Sequence, residues 1–393
     1  MNKLIYADNA ATTPMSKSVL DAMMPYLTSE FGNPSSLHKA GATTKKALAE
    51  ARETVCKYLG ATHSDEIIFT SGGTEADNLA LKGYMLGRSR KGNHIITTKI
   101  EHPAILDTCE FLEKCDFEVT YLDVDDKGLI SLDDLKNAIT PKTSLVSIMA
   151  ANNEIGTIQP LKEIGEICRE NGILFHTDAV QAIGHIAINV TEMNIDMLSL
   201  SGHKINGPKG AGVLYARRGL HLEPVIHGGG QEKNKRSGTE NVANIIGIAK
   251  AIEDSVSNMD NHMTYVKGLR DRLVDGIMEI PYTHYTGHPE KRLCGTASFV
   301  FEAIEGEGLL LLLDMNGICC STGSACATGS LDPSHVLMAI GLKHEVAHGS
   351  LRLTLGYQNT EEEVDYIIEK VKFAVDRLRQ MSPVWEKLRD NVK

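Results

Sequence analysis

The sequence predicts an α/β fold, a mostly parallel, doubly wound sheet followed by a smaller α+β domain. Two observations predict it. From about residue 35 to 215, short apolar runs alternate with amphipathic stretches, the pattern of strands and helices taking turns. After roughly Ser257 that alternation gives way to longer helical patterns with two isolated strands. The composition, 42% hydrophobic and 23% charged, supplies enough apolar mass for a sizeable core in 393 residues.

The strand runs are Ile67–Thr70, His94–Thr98, Phe117–Leu122, Ser144–Met149, Ile173–His176, Met197–Ser199 and Ala211–Tyr215. Between them, Leu48, Ala51, Val55 and Leu59 recur at helical spacing and stop at Gly60. Glu75–Leu86 and Leu161–Arg169 read as two further helices. Beyond the boundary, placed near residue 255, helices are expected over Met263–Glu279, Glu307–Met315, Ser334–Ile340 and Glu361–Arg379, with strands at Ala297–Phe301 and Leu351–Leu355.

Forty basic against 51 acidic residues give a net charge of −11. This argues against a nucleic-acid binder working through phosphates and against a protein held to anionic lipid by bulk charge. The longest uniformly aliphatic run, Leu309–Leu313, is far too short to span a bilayer. A charge at Lys3 and another at Asp8 interrupt any signal-like apolar stretch, so a cytosolic (cytoplasmic) protein is expected. Its eight cysteines, with no CxxC pair, are expected as free thiols.

Ligands of open α/β sheets bind beyond the carboxyl ends of the strands, so the residues after each strand are the candidates. Thr70-Ser71-Gly72-Gly73-Thr74-Glu75 joins a strand to a helix and resembles a phosphate cup, in which glycine turns aim amides at an anion. No Gly-Lys-Ser/Thr follows, so it is not a Walker A loop. Asp178 comes after the strand at Phe175-His176, where an acid could hold a pyridinium N–H. Lys204, in Ser201-Gly202-His203-Lys204, is placed to form a Schiff base. Each has a plainer reading as a helix cap or a solvated charge. Together, in chain order, they are the three contacts that pyridoxal phosphate needs. Glu101-His102 adds an imidazole, Asn152-Asn153-Glu154 adds amides, and Arg236-Ser237-Gly238-Thr239 adds further phosphate donors.

Cys326 lies among small polar residues in Cys319-Cys320-Ser321-Thr322-Gly323-Ser324-Ala325-Cys326-Ala327-Thr328-Gly329-Ser330, which reads as an exposed, mobile loop with a candidate nucleophile. Cys319 and Cys320 are expected to be buried. A metal site using all three lacks zinc spacing. Arg352, alone on the apolar run Leu351-Arg352-Leu353, must be paired, either in a salt bridge or with a substrate carboxylate.

These motifs carry a resemblance. With Tyr6-Ala7-Asp8-Asn9-Ala10-Ala11-Thr12-Thr13, Phe31-Gly32-Asn33-Pro34-Ser35-Ser36, Asn152-Asn153-Glu154-Ile155-Gly156, His176-Thr177-Asp178-Ala179-Val180-Gln181 and His227-Gly228-Gly229-Gly230-Gln231-Glu232, nearly the whole chain resembles the cysteine desulfurases of the NifS/IscS type. The resemblance implies the PLP-dependent transferase fold, like that of aspartate aminotransferase, with a seven-stranded sheet. It divides the chain into a large cofactor-binding domain, 15–256, and a small domain, 1–14 and 257–393, carrying the cysteine loop.

It implies that Lys204 bonds the cofactor aldehyde, Asp178 pairs with the pyridine nitrogen and His102 stacks on the ring. Gln181 and Asn153 would bond the phenolic oxygen and the substrate side. Gly73, Thr74, Ser201 and His203 would hold the phosphate, joined by Thr239 from a neighbouring subunit of a homodimer. Asn153 and Arg352 would bind the substrate carboxylate, and Cys326 would take sulfur from L-cysteine as a persulfide, releasing L-alanine. No resident metal is implied, although Cys326 could transiently share an iron–sulfur cluster with a scaffold partner. Scaffold proteins of iron–sulfur assembly and tRNA-thiolation carriers are the acceptors such an enzyme would serve. Thr322 departs from the usual serine but keeps the loop polar. The competing readings are selenocysteine lyase, another class V enzyme such as an aminotransferase or epimerase, and a non-enzymatic iron–sulfur scaffold.

Overall fold

Seven runs rich in Ile, Val, Leu and Thr form one sheet in the computed structural model, which describes residues 4–88, 90–323 and 333–390. In chain order, β1 (Ile5–Tyr6) precedes the sheet strands β2 (Ile67–Thr70), β3 (His94–Thr98), β4 (Glu118–Leu122), β5 (Thr143–Ser147), β6 (Leu174–Asp178), β7 (Met197–Ser201) and β8 (Gly212–Ala216). The order across the sheet is β2-β8-β7-β6-β5-β3-β4. β8 runs antiparallel to both neighbours, and the pairings β7–β6, β6–β5, β5–β3 and β3–β4 are parallel. Six carboxyl ends therefore share one edge. The central strands are buried throughout, as expected of a sheet covered on both faces.

The strand ends differ slightly from the expectation. β6 runs on through Asp178 rather than stopping at His176, because the ladder with β7 continues as far as Asp178 opposite Ser199. β7 likewise extends to Ser201, opposite Gly212 of β8. β5 ends at Ser147 instead of Met149, although Ile148 and Ala150 still donate to the carbonyls of His176 and Asp178.

The helix Lys39–Leu59 ends on Gly60 in the left-handed conformation (φ 67°), as the spacing requires. Among the described residues, six helices have no counterpart in the sequence expectation: Lys17–Thr28, Pro103–Glu113, Leu132–Ala138, Val242–Ser257, His344–Ala347 and Pro383–Asp390. Lys17–Thr28 carries Pro25, which reads as a breaker but falls in its last turn. Val242–Ser257 buries Ala243, Ile245, Ile248, Ala249 and Ile252, packing on Lys17–Thr28, Lys39–Leu59 and the turn Gly202–Lys204. Apolar residues on several sides blur its helical stripe.

Three strands make a second, antiparallel sheet: β9 (Thr283–Tyr285), β10 (Thr296–Phe301) and β12 (Ser350–Thr354), with β10 in the middle. β1 pairs in parallel with β11 (Ile318–Cys319). The buried apolar residues gather accordingly. A large cluster includes Phe175, Leu198, Val213 and Ile248, and another includes Ile5, Phe299, Leu313, Leu353 and Val371. The segment after β1 joins the two. Asn9 donates to the Thr354 carbonyl (3.2 Å), and Thr13 donates to that of His203 (2.9 Å).

Phe175 is fully buried on β6, the strand that ends in Asp178. Phe175→Ala is expected to lower unfolding stability by about 3–5 kcal/mol, read by urea denaturation. A loss below about 1 kcal/mol would contradict this packing.

Candidate active site

The shared carboxyl edge builds the site. After β2, the chain turns through Gly72 into the helix Gly73–Met85, which receives no side-chain cap at its N-terminus. Close packing imposes glycine there. A Cβ on Gly73 would sit 2.6 Å from Val180 Cγ2, and one on Gly212 would sit 2.5 Å from the Gly72 carbonyl carbon. Uncapped first-turn amides and the helix dipole make this terminus suited to an anion.

Asp178 ends β6 at 6% exposure. The Val180 amide donates to its Oδ1 (2.9 Å). Burial raises its pKa, while that amide and the charges of His102 and Lys204 pull it back down. Lys204 closes a short 3-10 turn directly after β7. Its Nζ donates to the carbonyls of Ala10 (2.5 Å) and Ala11 (2.8 Å). Gln181 also donates to Ala10 O (3.0 Å).

His102 is the N-cap of the helix Pro103–Glu113, and its Nδ1 accepts from the Ala104 amide (3.1 Å). That bond places the proton of the neutral ring on Nε2. Burial lowers the His102 pKa, and that of His203 falls to about 4 through burial and the nearby Lys204 and Lys209. Asn152 is committed to structure. It donates to Ile100 O (2.9 Å), and its Oδ1 accepts from the amides of Glu154 and Ile155. Arg352, 2% exposed on β12, donates to Asp8 Oδ1 (3.0 Å) and to Asn153 O (3.1 Å), while its buried Nε has no acceptor among the described residues. The salt bridge considered for this residue is therefore present.

Gly73, Thr74, His102, Asn153, Asp178, Gln181, Ser201, His203, Lys204 and Arg352 line one cavity of about 320 Å³. Thr239 is exposed and does not line it. Cys326 lies outside the described residues. Two expectations need correction. Arg236 is spent on Glu75 (2.9 Å) and Ser237 on Gly229 O (2.7 Å), so within the chain they are local ties rather than phosphate donors. Cys319 and Cys320 are half-buried rather than buried, because the two-stranded β1–β11 pair leaves that edge partly open.

Sequence reasoning missed the floor of the cavity. Asp77, on the helix Gly73–Met85, also lines it and is fully buried. Its Oδ1 lies 3.7 Å from His176 Nε2. Burial and the charges of Asp178 and Glu101 hold its pKa well above the usual carboxylate range. His176 bridges Ser147 Oγ (2.9 Å) and Ser199 Oγ (3.0 Å), and burial drives its pKa down to about 3. Glu101 accepts from Thr98 Oγ1 (2.7 Å) and the Met149 amide (3.0 Å), and burial raises it to about 8. Near neutral pH His176 and Glu101 are therefore uncharged, and burial pushes Asp77 the same way. Of the three only His176 sits in a strand, where it interrupts a run that reads as apolar, while Asp77 lies on a helix and Glu101 in the loop after β3.

Comparison with known proteins bears on this arrangement. The aminotransferase class-V family model matches residues 5–367. A cysteine desulfurase IscS of Clostridium botulinum is 57% identical over 389 residues, covering 98% of both chains. A solved NifS-like protein superposes with a TM-score of 0.90 at 40% identity, over 96% of this chain and all of that one. A structure described as SspA in complex with cysteine gives a TM-score of 0.79 at 39% identity, over 91% of this chain and all of that one.

The chain belongs to the cysteine desulfurases of the class-V aminotransferase family. These are pyridoxal phosphate enzymes, and the cavity suits that cofactor. One pocket of small-molecule size holds a buried acid, an amine, an imidazole and an uncapped helix terminus built on glycine.

Glu101 makes the charge state of the floor testable. Its carboxyl keeps a proton in the folded protein that the unfolded chain loses above about pH 4.5. Its contribution to stability is therefore complete below that pH and is lost as the pH rises towards about 8. Between pH 5 and 8, Glu101→Gln is expected to lose less stability than the parent, by up to about 1.4 kcal/mol per pH unit in urea denaturation. Parallel pH dependences would show that Glu101 is ionised.

Proposed function

We propose that this chain takes sulfur from L-cysteine, releases L-alanine and holds the sulfur as a persulfide on Cys326 for an acceptor protein of iron–sulfur assembly. The observation that carries this reading is the meeting of Lys204, Asp178, His102 and the Gly73-Thr74 helix terminus in one cavity with the buried guanidinium of Arg352.

Bound pyridoxal phosphate supplies an aldehyde that an amine can bond and a ring that draws electrons from the substrate. In this reading Lys204 would hold the cofactor covalently and, as a free amine, would move the substrate's α-proton. Asp178 keeps the pyridine nitrogen protonated, and His102 stacks on the ring with Nε2–H as its donor. Gln181 orients the phenolic oxygen, while Gly73, Thr74, Ser201 and His203 hold the phosphate. Arg352 and Asn153 would take the substrate carboxylate, with Arg352 Nε, which no acceptor among the described residues meets, as a donor. The Cys326 thiolate then attacks the substrate sulfur. An S–S bond forms, the C–S bond breaks, and the carbon skeleton leaves as alanine after gaining a proton.

The same reading includes a homodimer, with Thr239 completing the partner's phosphate site. Exposed Phe31 (78%) and Leu37 (103%), on the segment between the first two long helices, are apolar surface of the kind an interface covers. Sedimentation of Leu37→Glu is expected to show weakened self-association. A parent chain that sediments as a monomer would refute the dimer.

Two variants test the chemistry. Lys204→Ala is expected to lose the covalently held cofactor and its absorption band. Cys326→Ala is expected to keep that band yet release no sulfide from L-cysteine in the presence of a thiol. Sulfide release at the parent rate by Cys326→Ala would remove that thiol from the mechanism.

A further inference from the structure

Glu154 stands next to the cavity-lining Asn153 but points the other way, into the stems of the Cys326 segment. Its side chain is buried at 4% exposure. Ser334, where the chain re-enters the described structure, hydrogen-bonds Glu154 Oε2 through its hydroxyl. The Ser334 oxygen in turn accepts from the amides of Val336 (3.1 Å) and Leu337 (3.3 Å), which makes the serine the donor to Glu154. Gly323, at the other stem, passes close to the same oxygen, with room for no side chain between them. A Cβ built there would lie 2.7 Å from Glu154 Oε2 and 3.1 Å from Ser334 Cβ. Two residues eleven positions apart in the chain thus lie beside one carboxylate oxygen, Ser334 bonded to it and Gly323 packed close by. Gly323 is further tied to β12 by its amide, which donates to Ser350 Oγ (3.4 Å).

We propose that Glu154 is a positioning residue that joins the two stems of the segment 324–332, setting where the chain bearing Cys326 leaves and re-enters the fold without touching the cofactor cavity. This rests on the reading of Cys326 as the sulfur acceptor. The bond is strongest when Glu154 is ionised, since a carboxylate accepts from a hydroxyl more strongly than a neutral acid does. Burial pushes the Glu154 carboxyl up to about 7, while the Ser334 bond and the charge of Arg352 pull it down. Arg352, on β12, is itself paired with Asp8. Ser334 and Gly323 carry no charge, and His335 is directed to Glu101 O (3.0 Å). As pH falls through about 7, the clasp loses its charge and slackens.

The test uses the full-length holoenzyme and two readouts. One is the cofactor absorption band and its change on adding L-cysteine. The other is the single-turnover rate of persulfide formation on Cys326, trapped by alkylation and measured by mass spectrometry between about pH 6 and 9. Glu154→Gln is expected to leave the band and its response to L-cysteine intact. Its persulfide rate at about pH 8 falls roughly tenfold, the cost of one charge-assisted hydrogen bond. The step in that rate near pH 7 disappears in the variant, while the dependence set by the thiol remains. Ser334→Ala reproduces the loss, and Ser334→Thr, which keeps the hydroxyl, restores the rate.

A parent-like persulfide rate and pH profile in Glu154→Gln would overturn the proposal. So would loss of the cofactor band in both Glu154→Gln and Ser334→Ala, which would place the pair in cofactor retention. A parent enzyme that puts no sulfur on Cys326 sinks the desulfurase reading and this one with it. A parent that does so, beside an unaffected Gln variant, sinks this one alone.

Discussion

Asp178 is a carboxylate taken out of water, and a buried charge survives only where something opposite faces it. Lys204 and the His102 ring supply that from one side, and the Val180 amide from the other. Burial pushes the carboxyls of Asp77 and Glu101 up as well, Glu101 to about 8, with no cation among the described residues drawing them back. Of these three buried carboxyls, Asp178 is the one whose charged form Lys204 and His102 favour. The site's electrostatics follow from that single asymmetry rather than from any unusual residue type.

The sheet makes the asymmetry possible. Asp178 and Lys204 come from neighbouring parallel strands, β6 and β7, so each emerges at the same edge. The reversed strand β8 begins at that edge instead of ending there, which lets Gly212 pass beneath Gly72 as the helix at Gly73 starts. Small residues at this crossing hold the anion-binding end of the helix and the amine of Lys204 on opposite walls of one pocket.

Much of this could be read from the sequence because it depends on local patterns. Apolar runs gave all seven strands of the large sheet to within about three residues at each end, and glycines and short polar motifs after the strands located Gly73, Asp178 and Lys204. What escaped is non-local. The roles of Asp77 and His176 arise from burial against neighbouring strands, where a polar residue looks like an interruption of a hydrophobic run. Arg236 looked like an anion donor because its partner, Glu75, lies 161 residues away. The backbone carbonyls of Ala10 and Ala11, which receive Lys204, carry no side-chain signature at all. The helix Val242–Ser257 was missed because it is covered on several sides and so shows no single stripe.

The strip from Asn9 to Thr13 also has a temporal meaning. Ala10 donates to Thr354 Oγ1 (2.9 Å) across 344 residues, while two steps further on the same strip reaches His203 and Lys204. Closing a loop of that length demands that its far end exist first. On the ribosome, then, the pocket stays unfinished until Arg352 and Thr354 have been synthesised, although Ala10 and Ala11 can receive Lys204 before that.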